Sequence, residues 1–131
     1  MNTKQNGTIQ IDVDELWTIL KYFGFDQKSS DQVYLSSIPR MLDLFDQFNF
    51  KATFFIVGKD AQNPKKIKTL KQMIKRGHEL ANHSLSHIKG LSNESFRAKE
   101  KEILEADKIL SDISGKKICG FRAPGYSVDE E

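Results

Sequence analysis

Residues Ala52-Thr53-Phe54-Phe55-Ile56-Val57 form an almost unbroken apolar run. Side chains alternate across a strand with period two, so this segment has no polar face to offer water and must be buried on both sides. Strands of that kind belong to parallel sheets, whose connections are crossovers, usually helical. The rest of the chain fits this requirement. Thr8–Val13, His78–His83 and Lys117–Arg122 read as three further strands, and helical patterns fill the gaps between them.

Pro39 suits a first helical turn, with Met41, Leu42, Leu44, Phe45 and Phe48 on the inner face of a helix ending near Asn49. Pro64 opens a lysine-rich helix that Gly77 stops. There Ile67, Leu70, Met73 and Ile74 point inward, and Lys65, Lys66, Lys68, Lys71, Lys75 and Arg76 read as the solvated face. Ser92 is the expected cap of a longer helix carrying Phe96, Ile103, Leu104, Ala106, Leu110 and Ile113, with Gly115 as its stop. Alternating strands and helices imply an α/β layer or barrel, with function at the C-terminal strand ends. One connection is long. Residues Glu15–Ser37 hold Trp17, Tyr22, Phe23, Phe25 and Tyr34, and form either a lid or substrate wall or an extra amphipathic helix over the barrel mouth.

At 131 residues, 38% hydrophobic and 29% charged, the chain suits a single domain with a modest core. A formal net charge of +2, with its basic residues spread rather than striped, argues against a nucleic-acid partner. Met1–Thr8 lacks the apolar stretch of a secretory signal, and no segment is long enough to span a membrane, so the sequence reads as cytoplasmic. Cys119, the lone cysteine, excludes an intramolecular disulfide and reads as a small buried thiol.

Three polar clusters stand at predicted strand ends: Asp12-Val13-Asp14, the stretch Gly77–His87, and Phe121–Tyr126. His83 and His87 lie four residues apart, a spacing that brings two imidazoles together across one helical or turn-like step. Asp12 and Asp14 share one side of a strand, so one carboxylate can bind metal while the other handles protons. A cation on one carboxylate and two imidazoles keeps positions open for water and substrate, the pattern of catalytic sites. Arg122, at a neighbouring strand end, can hold a carboxylate ionised. His78, five residues before His83, faces the opposite way and reads as structural.

Gly77-His78-Glu79-Leu80-Ala81-Asn82-His83-Ser84-Leu85-Ser86-His87 closely resembles the second motif of polysaccharide deacetylases, the NodB-homology or carbohydrate esterase family 4 domain. Lys51-Ala52-Thr53-Phe54-Phe55 resembles that family's second strand, and Arg122-Ala123-Pro124-Gly125-Tyr126 its Arg-x-Pro motif. The resemblance implies the N-terminal part of a distorted (β/α) barrel of the glycoside hydrolase and deacetylase type. It also implies Asp14, His83 and His87 as ligands of a divalent metal ion, zinc foremost. Asp12 would be the general base, Arg122 would orient it, and the Tyr126 backbone N–H would help hold the oxyanion. Trp17, Pro124 and Tyr126 are the candidate substrate contacts.

The first motif departs from Thr-Phe-Asp-Asp-Gly. It reads Ile11-Asp12-Val13-Asp14-Glu15, as in a branch that includes deformylases of lipid-linked amino sugars and allantoinase-like amidohydrolases. The implied activity is hydrolysis of a non-peptide C–N bond, by deacetylation or deformylation of amino sugars in a polysaccharide or lipid-linked saccharide. Cyclic-amide opening and saccharide binding without turnover are the alternatives. Later family motifs, including a histidine that protonates the leaving amine, would lie beyond Glu131. Residues 1–131 are therefore expected to form the first part of a domain, which dimerises or associates with a second half.

Overall fold

The structure, a computed structural model, describes residues 7–25 and 30–129. Three parallel strands, β1 (Ile9–Val13), β2 (Ala52–Ile56) and β3 (Glu79–Asn82), lie in the order β1-β2-β3. Asp12 pairs with Phe55, and Ile56 pairs with Asn82. Five α-helices accompany them among the described residues: α1 (Leu16–Tyr22), α2 (Ile38–Gln47), α3 (Gly58–Ala61), α4 (Pro64–Lys75) and α5 (Phe96–Ser114). The apolar run expected to be buried on both sides is the central strand.

Register and alternation divide the sheet into two faces. Val13, Phe54, Ile56 and Leu80 pack with Leu42, Leu70, Met73 and Leu110 of the helices, and these form the core. The opposite face carries Gln10, Asp12 and Phe55, and is the one that presents chemistry. Pro64 stands in the first turn of α4, whose N-cap Asn63 accepts a hydrogen bond from the Lys65 amide. Gly77, at φ +83°, and Gly115, at φ +67°, turn the chain in the left-handed region where α4 and α5 end.

Several expectations need correction. Lys117–Arg122 is extended but is not a fourth strand: one bridge joins Phe121 to Asn82, through Asn82 N–H to Gly120 O and Arg122 N–H to Asn82 O. Asn82 is the last residue of β3, so the pairing has nothing to extend along. The cap of α5 is Ser95, which accepts from the Ala98 amide, while Ser92 sits in a preceding 3-10 turn and bonds Ser127. Cys119 is exposed. Lys66 is not on the solvated face; its side chain is 3% exposed, because carboxylates surround it. Within the long connection, Leu16–Tyr22 forms a helix and Tyr34 is a fully buried core residue, so Tyr34 cannot serve a lid. Residues 26–29 of that connection fall outside the described residues.

Candidate metal centre

The stretch from Asn82 to His87 is a turn built by its own side chains. Asn82 Oδ1 accepts from the Ser84 amide at 2.8 Å, and Ser84 Oγ accepts from the His87 amide at 3.1 Å. These bonds hold Ser84 at φ +62° and His87 at φ +53°, backbone conformations that non-glycine residues adopt only when the surroundings fix them. Asn82 is itself fixed, donating to Ile103 O at 2.9 Å and Asp107 Oδ1 at 2.7 Å on α5. Glu102 on the same helix accepts from both the amide and the hydroxyl of Ser86. From the other side, the α3 amides of Gly58 and Lys59 donate to the carbonyls of Ser84 and Leu85. None of Asn82, Glu102 and Gly58 was singled out from the sequence as a support, since each acts through a partner distant in the chain.

The turn brings His83 and His87 to a ring separation of 5.1 Å, both against Asp14 just past the end of β1. Asp14 Oδ1 lies 3.1 Å from His87 Nε2 and 3.7 Å from His83 Nε2. One donor atom from each of the three residues lies within 4.8 Å of the others, and no other such group of three occurs among the described residues. His83 Nδ1 is 2.7 Å from the Arg122 carbonyl oxygen. A carbonyl only accepts, so Nδ1 carries the proton and Nε2 turns its lone pair toward Asp14. Burial, only partly offset by the Arg122 carbonyl and nearby carboxylates, holds the His83 pKa below its ordinary value, keeping the ring neutral. Burial also works against ionisation of Asp14, but His87, His83 and Lys89 outweigh it and hold its carboxyl below the usual value.

The donor set fits a divalent cation. Asp14 Oδ1 is buried with no hydrogen-bond partner of its own, facing two imidazole nitrogens. Its distances to them bracket the edge of about 3.3 Å that a tetrahedron with ligand bonds of about 2.0–2.1 Å would have. Glu15, the neighbouring carboxylate, points the other way. It is fully buried, receives the Leu16 and Tyr34 amides, and lies 3.8 Å from Lys66. Period-two alternation thus gives Asp14 to the site and Glu15 to the helical layer.

Asp12 stands beside this triad and accepts from Arg122 Nη1 at 2.5 Å, while Arg122 Nη2 donates to Gln10. The guanidinium also lies 4.0 Å over the Phe55 ring, which fixes its plane. Tyr126 is 77% exposed, at φ +56°, and its amide donates to Ala123 O at 3.0 Å. Pro124 is buried, and Trp17 is half-buried with its indole N–H donating to Asp60 Oδ1 at 2.9 Å. His78 accepts from the Ala52 amide through Nδ1 and lies against Phe54 and Phe45, away from the triad as expected.

Comparison with known proteins identifies the family. The polysaccharide deacetylase family model matches residues 22–131. A peptidoglycan-N-acetylglucosamine deacetylase of Bacillus cereus is 36% identical over 93 residues, 70% of this chain and 41% of that protein. The solved peptidoglycan deacetylase PdaC of Bacillus subtilis superposes with a TM-score of 0.70 at 25% identity, over 94% of this chain and 52% of that one. A family 4 acetyl xylan esterase from Clostridium thermocellum, solved in complex with a cobalt ion, gives 0.68 at 27% identity, over 91% and 48%. The chain thus spans about half the length of these relatives or less, and its strands and helices correspond to the N-terminal part of the distorted barrel they share. With the motifs of its second strand, histidine turn and Arg-x-Pro loop inside the matched region, the chain belongs to the polysaccharide deacetylase family.

Proposed function

We propose that the chain supplies the metal-binding and base-bearing part of a hydrolase that removes acyl groups from the nitrogen of amino sugars in a saccharide chain. The observation that carries this reading is Asp14, His83 and His87 converging beside the Asp12–Arg122 pair. Asp14, His83 and His87 would hold the cation, zinc foremost; the cobalt ion of the Clostridium thermocellum relative supports a divalent metal. Held there, it supplies Lewis-acid chemistry, polarising a carbonyl oxygen and making water acidic enough to attack near neutral pH.

The chain's own residues would do the rest. Asp12, oriented by Arg122, takes the proton of the attacking water as the new C–O bond forms. The C–N bond then breaks, and the departing nitrogen needs a proton. The three histidines are already assigned, two to the triad and His78 to Ala52, so the resemblance leaves that task to a later motif of the family. The Tyr126 amide can serve the oxyanion only if it is released from Ala123. The exposed Tyr126 ring is the strongest candidate saccharide contact; Pro124 is buried, and the half-buried Trp17 already gives its indole N–H to Asp60. Asp12 and Asp14 side chains keep 28% and 29% exposure, and such an open site suits a saccharide chain better than a small planar cyclic amide. Peptidoglycan-type acetylated glucosamine is the favoured substrate class because the Bacillus cereus relative is named for it.

Two measurements test the reading. Zinc titrated into the chelator-stripped protein is expected to bind one to one, and His87→Ala is expected to abolish it. Acetate release from N-acetylglucosamine oligosaccharides is expected to fall in Asp12→Asn, with zinc binding retained. Wild-type protein that binds no zinc would overturn the site, and equal acetate release by Asp12→Asn would overturn the base.

A further inference from the structure

We infer that Lys66, buried between Glu15 and Asp60, is a positioning residue that sets the spacing of the metal ligands by tying their two supporting segments together. The inference rests on the metal site proposed above. Asp14 comes from the end of β1, whereas His83 and His87 come from the turn after β3. Those two strands are not neighbours, because β2 lies between them. Backbone pairing alone therefore leaves the distance between the carboxylate and the imidazoles to whatever joins the strand ends.

The join is ionic and lies in the helical layer. Lys66 Nζ is 2.6 Å from Asp60 Oδ1 and 3.8 Å from Glu15 Oε1. Glu15 is the residue after Asp14, so fixing its side chain fixes the backbone that carries the ligand. Asp60 belongs to α3, whose Gly58 and Lys59 amides hold the carbonyls of Ser84 and Leu85 inside the histidine turn. The path thus runs from Asp14 through Glu15, Lys66, Asp60 and α3 to His83 and His87.

A second contact closes on the same carboxylate. Trp17, on the helix that Glu15 caps, donates its indole N–H to the same Asp60 Oδ1 at 2.9 Å. Asp31 lies 3.6 Å from Lys66 Nζ, and the Tyr34 ring centroid is 4.9 Å from it. Lys66 Nζ thus stands among three carboxylates, of which Asp31 is also approached by Lys65 Nζ at 3.7 Å. Two of the three are essentially shut off from water, so the ammonium cannot leave without exposing them to mutual repulsion in a medium of low dielectric. Outer-shell partners that fix ligands typically change metal affinity about 10- to 100-fold when removed.

The test compares wild type, Lys66→Met, and the uncharged combination Glu15→Gln/Asp60→Asn/Lys66→Met, which avoids unpaired buried charge and keeps the shape. Leu110→Ala, a core truncation on α5 outside the path, is the control for general destabilisation. Native-state hydrogen exchange on the metal-free proteins is expected to show exchange about tenfold faster at residues 14–18 and 83–87 together in both Lys66 variants, relative to the rest of the chain. Zinc affinity is expected to fall about 10- to 100-fold in both, and to be unchanged in Leu110→Ala. Exchange that rises uniformly along the chain, as in the control, would overturn the brace. Wild-type protein without zinc affinity would overturn the metal site, and the exchange pattern would still decide the brace on its own.

Discussion

The backbone carbonyl of Arg122 fixes the His83 ring at 2.7 Å while the side chain of the same residue holds Asp12 at 2.5 Å. One residue of the late loop therefore sets both the tautomer of a metal ligand and the orientation of the adjacent carboxylate. Asn82 makes that possible, because its amide and carbonyl bond Gly120 and Arg122 and bring the loop to the end of β3.

Loss of one ligand leaves two donors, too few for a tight site of this kind. Zinc affinity measured by calorimetry is expected to drop by at least about 100-fold in His87→Ala and in Asp14→Asn, beyond the effect of outer-shell changes. Glu15→Gln weakens the link to Lys66, but Glu15 contributes no donor atom, so the loss should stay near the lower, about 10-fold, end of the outer-shell range. A Glu15→Gln protein as weak as Asp14→Asn would reassign the carboxylate ligand.

Asp12→Asn preserves shape and the contact to Arg122 but cannot accept a proton from water. Acetate release is expected to fall about 10²- to 10⁴-fold, the usual contribution of a general base. The accompanying check is zinc binding, which should be unchanged because Asp12 is not among the three donors.

Gly58 has no room for a side chain. A Cβ there would lie 3.0 Å from Leu85 Cδ1, 3.1 Å from Ala106 Cβ and 3.2 Å from the Leu85 Cα. Gly58→Ala is expected to cost about 1–3 kcal/mol of stability through overpacking. Because the pressure falls on Leu85, between the two histidines, zinc affinity should decline as well. Urea unfolding with no change in midpoint would refute the steric account.

His78 makes stability depend on pH. Burial, helped by the charges of Lys51 and Arg76 and opposed by Asp46, holds its pKa below the ordinary 6.5. As pH falls, the unfolded chain takes up the proton first. The contribution of His78 is therefore fully present above about pH 6.5 and is lost as pH falls through the folded-state value. In His78→Asn, where an amide oxygen replaces Nδ1 as acceptor for the Ala52 amide, unfolding free energy should decline less steeply below about pH 6.5. Parallel profiles would show that His78 does not titrate with folding.

The family was legible because its chemistry is concentrated in short segments. Period two in Asp12-Val13-Asp14, the His-x3-His spacing and the Arg-x-Pro run are local facts, and each survives into the structure as a strand end or turn. The same locality explains the elements that were read correctly, such as the buried run of β2 and the proline and glycine limits of α4. Strand pairing is not local. Lys117–Arg122 has the look of a strand, yet its pairing is set by where β3 stops, and only Asn82 meets it.

Charge was the least legible feature. Lys66 lies in a helix rich in lysine, and nothing in its neighbours along the chain separates it from Lys65 or Lys68. Its burial is decided by Glu15, Asp60 and Asp31, whose distances in sequence are 51, 6 and 35 residues. The sequence by itself determined which residue types could bind metal and carry protons. Only the tertiary structure decided which lysine is buried among carboxylates, because an ion pair in the interior depends on what surrounds it in space.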